Sequence, residues 1–215
     1  STDYKYWADH PGERGRFLKE KYGQDSVLVF LCGCSGNLNH IDFFAWQEKG
    51  EYPHDEETHH TKMGKILFDD IAELDRTAEK MKDKELKIER KVFRASRRQP
   101  TAEMVEWARK TLADKDANNM DISYAKSWIA LHEDPKYFTN IEIQVISFGE
   151  FIIVGLPGEV YTDVSLEIKR KSGKKNIFVT ALANRGVGYV PTRDAFEHGI
   201  YETKLSQTSS YLEID

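Results

Sequence analysis

The stretch Ile152-Ile153-Val154-Gly155-Leu156-Pro157-Gly158-Glu159 decides the fold. Its unbroken apolar run has strand length and reads as a strand covered on both faces. Pro157-Gly158 then makes a tight turn, and Glu159 is the first side chain beyond it. Residues 160–171 read as a helix that packs through Tyr161, Val164, Leu166 and Ile168 and stops at Ser172-Gly173. Lys169, Arg170 and Lys171 fall in its last turn, where cations oppose the negative end of the helix dipole. Glu159 is therefore presented at a strand end, just where a helix begins. It is either a functional acid or a complement to the positive end of the helix dipole, the latter worth about 0.3–1 kcal/mol.

Working outward, residues 141–148 alternate apolar and polar, and Gly149-Glu150 forms a two-residue turn before the central strand, so the pair is a β-hairpin. Residues 176–182 form another buried strand. It runs into Ala183-Asn184-Arg185-Gly186-Val187-Gly188-Tyr189-Val190-Pro191-Thr192, a glycine-containing loop that carries Tyr189. Residues 26–31 are a third continuous apolar run, expected as a buried strand, and lead into Cys32-Gly33-Cys34-Ser35-Gly36-Asn37-Leu38-Asn39. Two glycines there let the backbone come close to a bound group, so this loop is either an active-site floor or a plain turn. It is not a phosphate loop, since the GxxxxGK[ST] spacing is absent. Helices are expected over 13–22, from Thr58 with Met63, Ile66, Leu67, Ile71, Leu74 and Ala78 inward, from Thr101 as a cap, and over 121–132. His10-Pro11-Gly12 reads as a turn. Residues 85–94 read as a half-exposed strand, followed by Arg94, Arg97 and Arg98 as a solvated run, with one arginine turned into a cleft as the alternative. The fold class is α/β: a mixed sheet with flanking helices and the functional loops at strand ends.

The bulk composition narrows the function. The 215 residues suffice for one domain or two, and 40% hydrophobic with 31% charged residues is globular composition. A net charge of −5 weighs against a nucleic-acid partner, which calls for a basic face. No apolar run is long enough for a transmembrane segment, and no signal peptide is visible. The chain opens on Ser1 rather than Met, so a processed or excised chain is expected. Cys32 and Cys34 are too close in sequence for an easy mutual disulfide. His40, Asp42, His54, His59 and His60 cluster, but adjacent His59 and His60 point to different sides of a helix, and the i, i+4 pattern of a helical metal pair is missing. They read as a solvated loop. Phe43, Phe44, Trp46 and Tyr52 read as loop aromatics packed on their own domain, with a sugar- or lipid-binding surface as the alternative.

Three segments together resemble the neutral, non-lysosomal ceramidases and their bacterial relatives. They are residues 27–39 with Gly36-Asn37-Leu38-Asn39, then Gly155-Leu156-Pro157-Gly158-Glu159, then Leu182-Ala183-Asn184-Arg185-Gly186-Val187-Gly188-Tyr189-Val190-Pro191-Thr192 followed by Phe196 and Tyr201-Glu202. The opening Ser1-Thr2-Asp3-Tyr4 resembles the short segment after that family's second zinc histidine. The resemblance implies that residues 1–215 are the later half of a ceramidase-like catalytic domain, with the N-terminal part missing. It implies zinc as cofactor, with Glu159 and Tyr189 as metal ligands and two histidines supplied by the N-terminal segment of the same protein, so the site is incomplete within this chain. A carboxylate and a phenolate are both competent zinc ligands. It implies that Gly36 and Asn37 line a substrate subsite, that Asn39 and Tyr189 take the catalytic positions, and that the substrate is a small or lipid-like molecule with an amide bond. It also favours a secreted or periplasmic location.

The resemblance breaks at one position. The family's loop places a serine where this sequence has Asn39, followed by His40. Asparagine is no nucleophile, although its amide can orient a water or hydrogen-bond a carbonyl. Cys34 and Ser35 have no evident base beside them in sequence. Two functions remain open: a zinc-dependent hydrolase, or a module that keeps the fold for binding or structure and has lost the chemistry.

Overall fold

The computed structural model describes residues 6–39, 41, 43–50, 56–80, 85–134 and 136–213. The chain divides into two compact units, Ser1–Leu31 with Asn39–Met81, and Cys32–Leu38 with Lys82–Asp215. Among the described residues no helix is long and apolar enough to cross a membrane.

The first unit holds α1 (Asp9–Tyr22), α2 (Phe43–Lys49) and α3 (Glu56–Asp75). Helix α1 starts earlier than its apolar pattern suggests, so His10-Pro11-Gly12 lies in its first turn rather than in a separate turn. A proline costs little there because the first helical N–H groups have no intrahelical partner. Gly23 ends α1, its N–H reaching Lys19 O at 3.0 Å. Helices α1 and α3 pack tightly: Gly64 faces Glu13 Cβ so closely that no side chain fits, and Phe17 meets Phe68 with ring centroids 5.8 Å apart. Two further expectations fail in this unit. Residues 43–49 are helical, not loop. Residues 26–31 do not form a strand, and Val27 and Val29 are 80% and 77% exposed. An apolar run of strand length becomes a strand only with a ladder partner, and among the described residues 26–31 have none.

The second unit is built on a four-stranded mixed sheet in the order β1 (Leu86–Ser96), β2 (Phe138–Phe148), β3 (Phe151–Gly155), β5 (Ile177–Thr180). Strands β1, β2 and β3 are antiparallel neighbours, and β5 runs parallel to β3. The β2–β3 hairpin turns at Gly149-Glu150 as the alternation predicts, with Gly149 at φ 57. Between β1 and β2 come α4 (Ala102–Ala113) and α5 (Asn119–Glu133), capped by Thr101 Oγ1 on Met104 N–H and by Asn118 Oδ1 on Asp121 N–H. Between β3 and β5 come β4 (Glu159–Val160) and α6 (Thr162–Ser172), which ends at Gly173 in a left-handed conformation. After β5 come β6 (Tyr189–Val190), α7 (Arg193–His198) and a 3₁₀ turn at Tyr201–Thr203. The core gathers Cys34, Val154, Leu156, Val160, Val179 and Ala181, with Val164 and Ile168 of α6 packed against it. Each fully buried aliphatic there contributes about 1.5–3 kcal/mol. The α/β mixed sheet with flanking helices is therefore present.

Candidate active site

The site begins where β3 ends. Leu156 N–H donates to Thr180 O at 2.8 Å, and Ala183 N–H donates to Leu156 O at 2.9 Å. The turn after β3 is thus zipped to the segment after β5. Gly158 has φ 79, and an added Cβ would collide with Gly188 O. Its N–H donates to Arg185 O at 3.0 Å, and its carbonyl accepts from Leu182 N–H at 2.9 Å. Leu182 sits at φ 55, a left-handed conformation that costs a leucine about 1 kcal/mol and is held by these flanking bonds.

Beyond the turn the chain does not enter a helix at once. Glu159 and Val160 form β4, which pairs in parallel with β6, so Glu159 lies opposite Tyr189 and Val160 opposite Val190. Glu159 N–H donates to Gly188 O at 2.8 Å, Tyr161 N–H to Val190 O at 3.1 Å, and Tyr189 N–H to Ser209 O at 2.6 Å. Helix α6 starts only at Thr162, and the acid in its first turn is Asp163. The Glu159 side chain instead shares a face of this ladder with the Tyr189 phenol. Burial, then the Glu159 charge and hydrogen bonding to Glu159, push the phenol up to about 12. Tyr201 meets the Tyr189 ring edge-on, centroids 5.8 Å apart, and Glu202 adds to the same negative field. Glu159 and Tyr189 are thus brought together as an oxygen pair at the strand ends.

Gly36 and Asn37 come to the same place from another part of the chain. Gly36 N–H donates to Val160 O at 2.9 Å, and a Cβ on Gly36 would collide with Glu159 O. Only glycine allows that approach. Asn37 is turned to the start of α6: its Oδ1 accepts from Thr162 N–H at 2.8 Å and its Nδ2 donates to Asp163 Oδ2 at 2.9 Å. Thr162 Oγ1 returns a bond to Cys34 O at 3.0 Å. Asn39 belongs to the other unit, where its Oδ1 accepts from Ile41 N–H at 3.0 Å. Cys34 is buried, and burial pushes its thiol up, which keeps it protonated and unlike a nucleophile.

Two features escape the sequence reading. Both arginines after β1, Arg97 and Arg98, are turned into the fold, where the sequence left room for one. Arg97 pairs with Asp134 at 2.7 Å with its side chain 9% exposed. The Arg98 guanidinium donates to Thr203 O, Ser210 O and Ser210 Oγ at 2.9, 2.9 and 2.7 Å, and lies over Phe196. It clamps the segment whose Ser209 carbonyl holds Tyr189. Nothing in an Arg-rich run distinguishes these two from exposed neighbours. The second feature is Tyr161, expected only to pack. Its phenol oxygen is buried without a hydrogen-bond partner among the described residues, and burial, with Glu202, Asp194 and Asp163 nearby, pushes it up.

Among the described residues no group of three or more His, Cys, Asp or Glu side chains is placed to hold a metal ion. His40, Asp42, His54, Tyr52 and the opening Ser1-Thr2-Asp3-Tyr4 lie outside the described residues. The oxygen pair fits part of a zinc shell, since both donors are hard and adjacent and share one face of a short ladder.

The architecture is a mixed α/β sheet with a carboxylate–phenol pair at its strand ends. The sequence matches no established family profile and no curated protein. In structure the chain is similar to a neutral ceramidase from Pseudomonas aeruginosa, with a TM-score of 0.63 and 17% identity over 93% of this chain. It is also similar to a ceramidase complexed with C2, with a TM-score of 0.59 and 17% identity over 93% of this chain. The chain spans 37% and 39% of those two proteins. At that identity the likeness shows the fold, and the ceramidase resemblance read from the sequence holds at that level.

Proposed function

We propose that this chain carries the Glu159–Tyr189 part of a zinc-dependent hydrolase site of the ceramidase type, acting on an amide or related bond of a lipid-like substrate. The observation that carries the reading is the parallel ladder setting Glu159 beside Tyr189. Glu159 and Tyr189 would hold the metal, completed by two histidines from the segment that the resemblance puts ahead of Ser1. When bound, zinc supplies Lewis acidity toward the scissile carbonyl and lowers the pKa of a water toward about 7. The chain's own residues do the rest. The ladder between β4 and β6 holds the two side chains side by side through main-chain bonds. The Gly36 backbone fixes the Glu159 main chain, and Asn37 fixes the start of α6. The resemblance puts Asn39 at the family's serine position, where an amide is no nucleophile.

The test is metal content of the protein carrying the preceding segment. About one zinc per chain that is lost in Glu159→Ala supports the reading; no bound metal near neutral pH removes it. Asn39 favours a second reading, a binding or structural module without turnover. Zinc retained with no cleavage of any N-acyl lipid would select that one.

A further inference from the structure

We propose a second site, a cleft that binds the oxyanion group of a small amphiphile, formed by Arg94, Lys136 and Arg185 around an aromatic wall. The cleft has a volume of roughly 680 Å³ and is lined by these three cations with Tyr137, Phe138, Thr139 and Asn140. It sits at the end of the sheet that the site shares. The ladder sets Arg94 opposite Asn140 at the start of β2, and the end of β3 lies alongside Gln144 of the same strand. Arg185 joins the two places: its side chain lines the cleft while its carbonyl accepts from Gly158 N–H, one residue before Glu159.

The charge pattern is unusual for a chain whose net charge is −5. Three cations converge on one cleft, and among the described residues none of them forms an ion pair. Asp134, two residues before Lys136, is already taken by Arg97 at 2.7 Å. The Arg94 guanidinium lies over the Phe138 ring, 4.0 Å from its centroid, which leaves its N–H edge free and restrains its orientation. Guanidinium groups suit carboxylate and phosphate because their paired donors match two acceptor oxygens. Tyr137 and Phe138, 59% and 44% exposed, supply apolar surface beside the charges. The fitting ligand is thus a carboxylate or phosphate carrying an apolar portion. This inference does not depend on the metal reading.

The experiment titrates the ¹⁵N-labelled chain, with chelator present, against octyl phosphate below its micelle concentration, octanoate, inorganic phosphate and octyltrimethylammonium. The amides of residues 137–140 should shift with the anions and not with the cation. Affinity should fall about tenfold in Arg94→Gln or Arg185→Gln and recover largely in Arg185→Lys. It should also fall steeply on going to about 0.5 M salt. Octyl phosphate binding well above inorganic phosphate identifies an amphiphile as the ligand; equal binding identifies the free anion; both support the site. Binding should persist in Glu159→Ala. The proposal is overturned if no anion shifts these amides at millimolar concentration, if the cation binds equally, if the glutamine variants bind as the parent does, or if Glu159→Ala abolishes binding.

Discussion

The close main-chain approach at Gly36 gives the sharpest prediction. In Gly36→Ala the new Cβ would lie well inside 3.0 Å of the Glu159 carbonyl oxygen, and 3.1 Å from both Glu159 C and Tyr161 Cδ1. These neighbours are mostly backbone, so no flexible side-chain end can swing aside. Either β4 moves, or the Gly36 N–H bond to Val160 O lengthens from 2.9 Å and fails. Overpacking of this kind costs about 1–3 kcal/mol, and losing the hydrogen bond adds about 1 kcal/mol. The sum is roughly 2–4 kcal/mol, which for a chain of this size lowers Tm by about 5–15 °C. Gly33→Ala is the matched control, since a Cβ there meets nothing within 4 Å and its φ is not positive. That variant should stay within about 0.5 kcal/mol of the parent. Thermal unfolding followed by circular dichroism compares the two. If Gly36→Ala melts with Gly33→Ala, the close approach does not hold the site together and the reasoning fails.

Three further outcomes follow from the same contacts. Asn37→Ala removes the acceptor at the start of α6 and should cost about 1 kcal/mol, read by denaturant unfolding. Arg98→Met strips the partners from two carbonyls and a hydroxyl, and should cost about 3 kcal/mol or more. Glu159→Gln should bring the Tyr189 phenol down from about 12 toward, but not onto, the ordinary tyrosine range, because burial remains; ultraviolet titration in chelator reads it. The sign follows: a phenol raised in the fold stabilises below pH about 10 and loses that contribution as pH climbs through about 12, so Glu159→Gln should flatten the alkaline loss of stability.

What could be read from the sequence was local. The β2–β3 hairpin shows in a period of two with Gly149-Glu150 between, and the start of α4 shows in Thr101. Failures came where a partner distant in sequence decides. Residues 27–31 have the composition of a buried strand and no ladder among the described residues. Arg97 and Arg98 look like their exposed neighbours until Asp134 and the 203–210 segment are folded against them. Residue spacing could not join Glu159 to Tyr189. The resemblance named both, and the ladder between β4 and β6 supplies the physical reason they meet.

That ladder also decides how a mutation at the pair is to be interpreted. Glu159 holds its place through main-chain atoms: its N–H binds Gly188 O, and the carbonyl of the next residue, Val160, accepts from Gly36 N–H. Tyr189 is likewise fixed through its own N–H on Ser209 O. Neither strand residue needs its side chain to stay paired, so Glu159→Ala should leave β4, β6 and the loop at Gly36 in register. The glycines behave the opposite way, since Gly36, Gly158 and Gly188 all abut backbone that a Cβ would strike. Loss of metal in Glu159→Ala with an unchanged melting profile would therefore report on coordination, whereas the same loss in Gly158→Ala would report on a displaced strand.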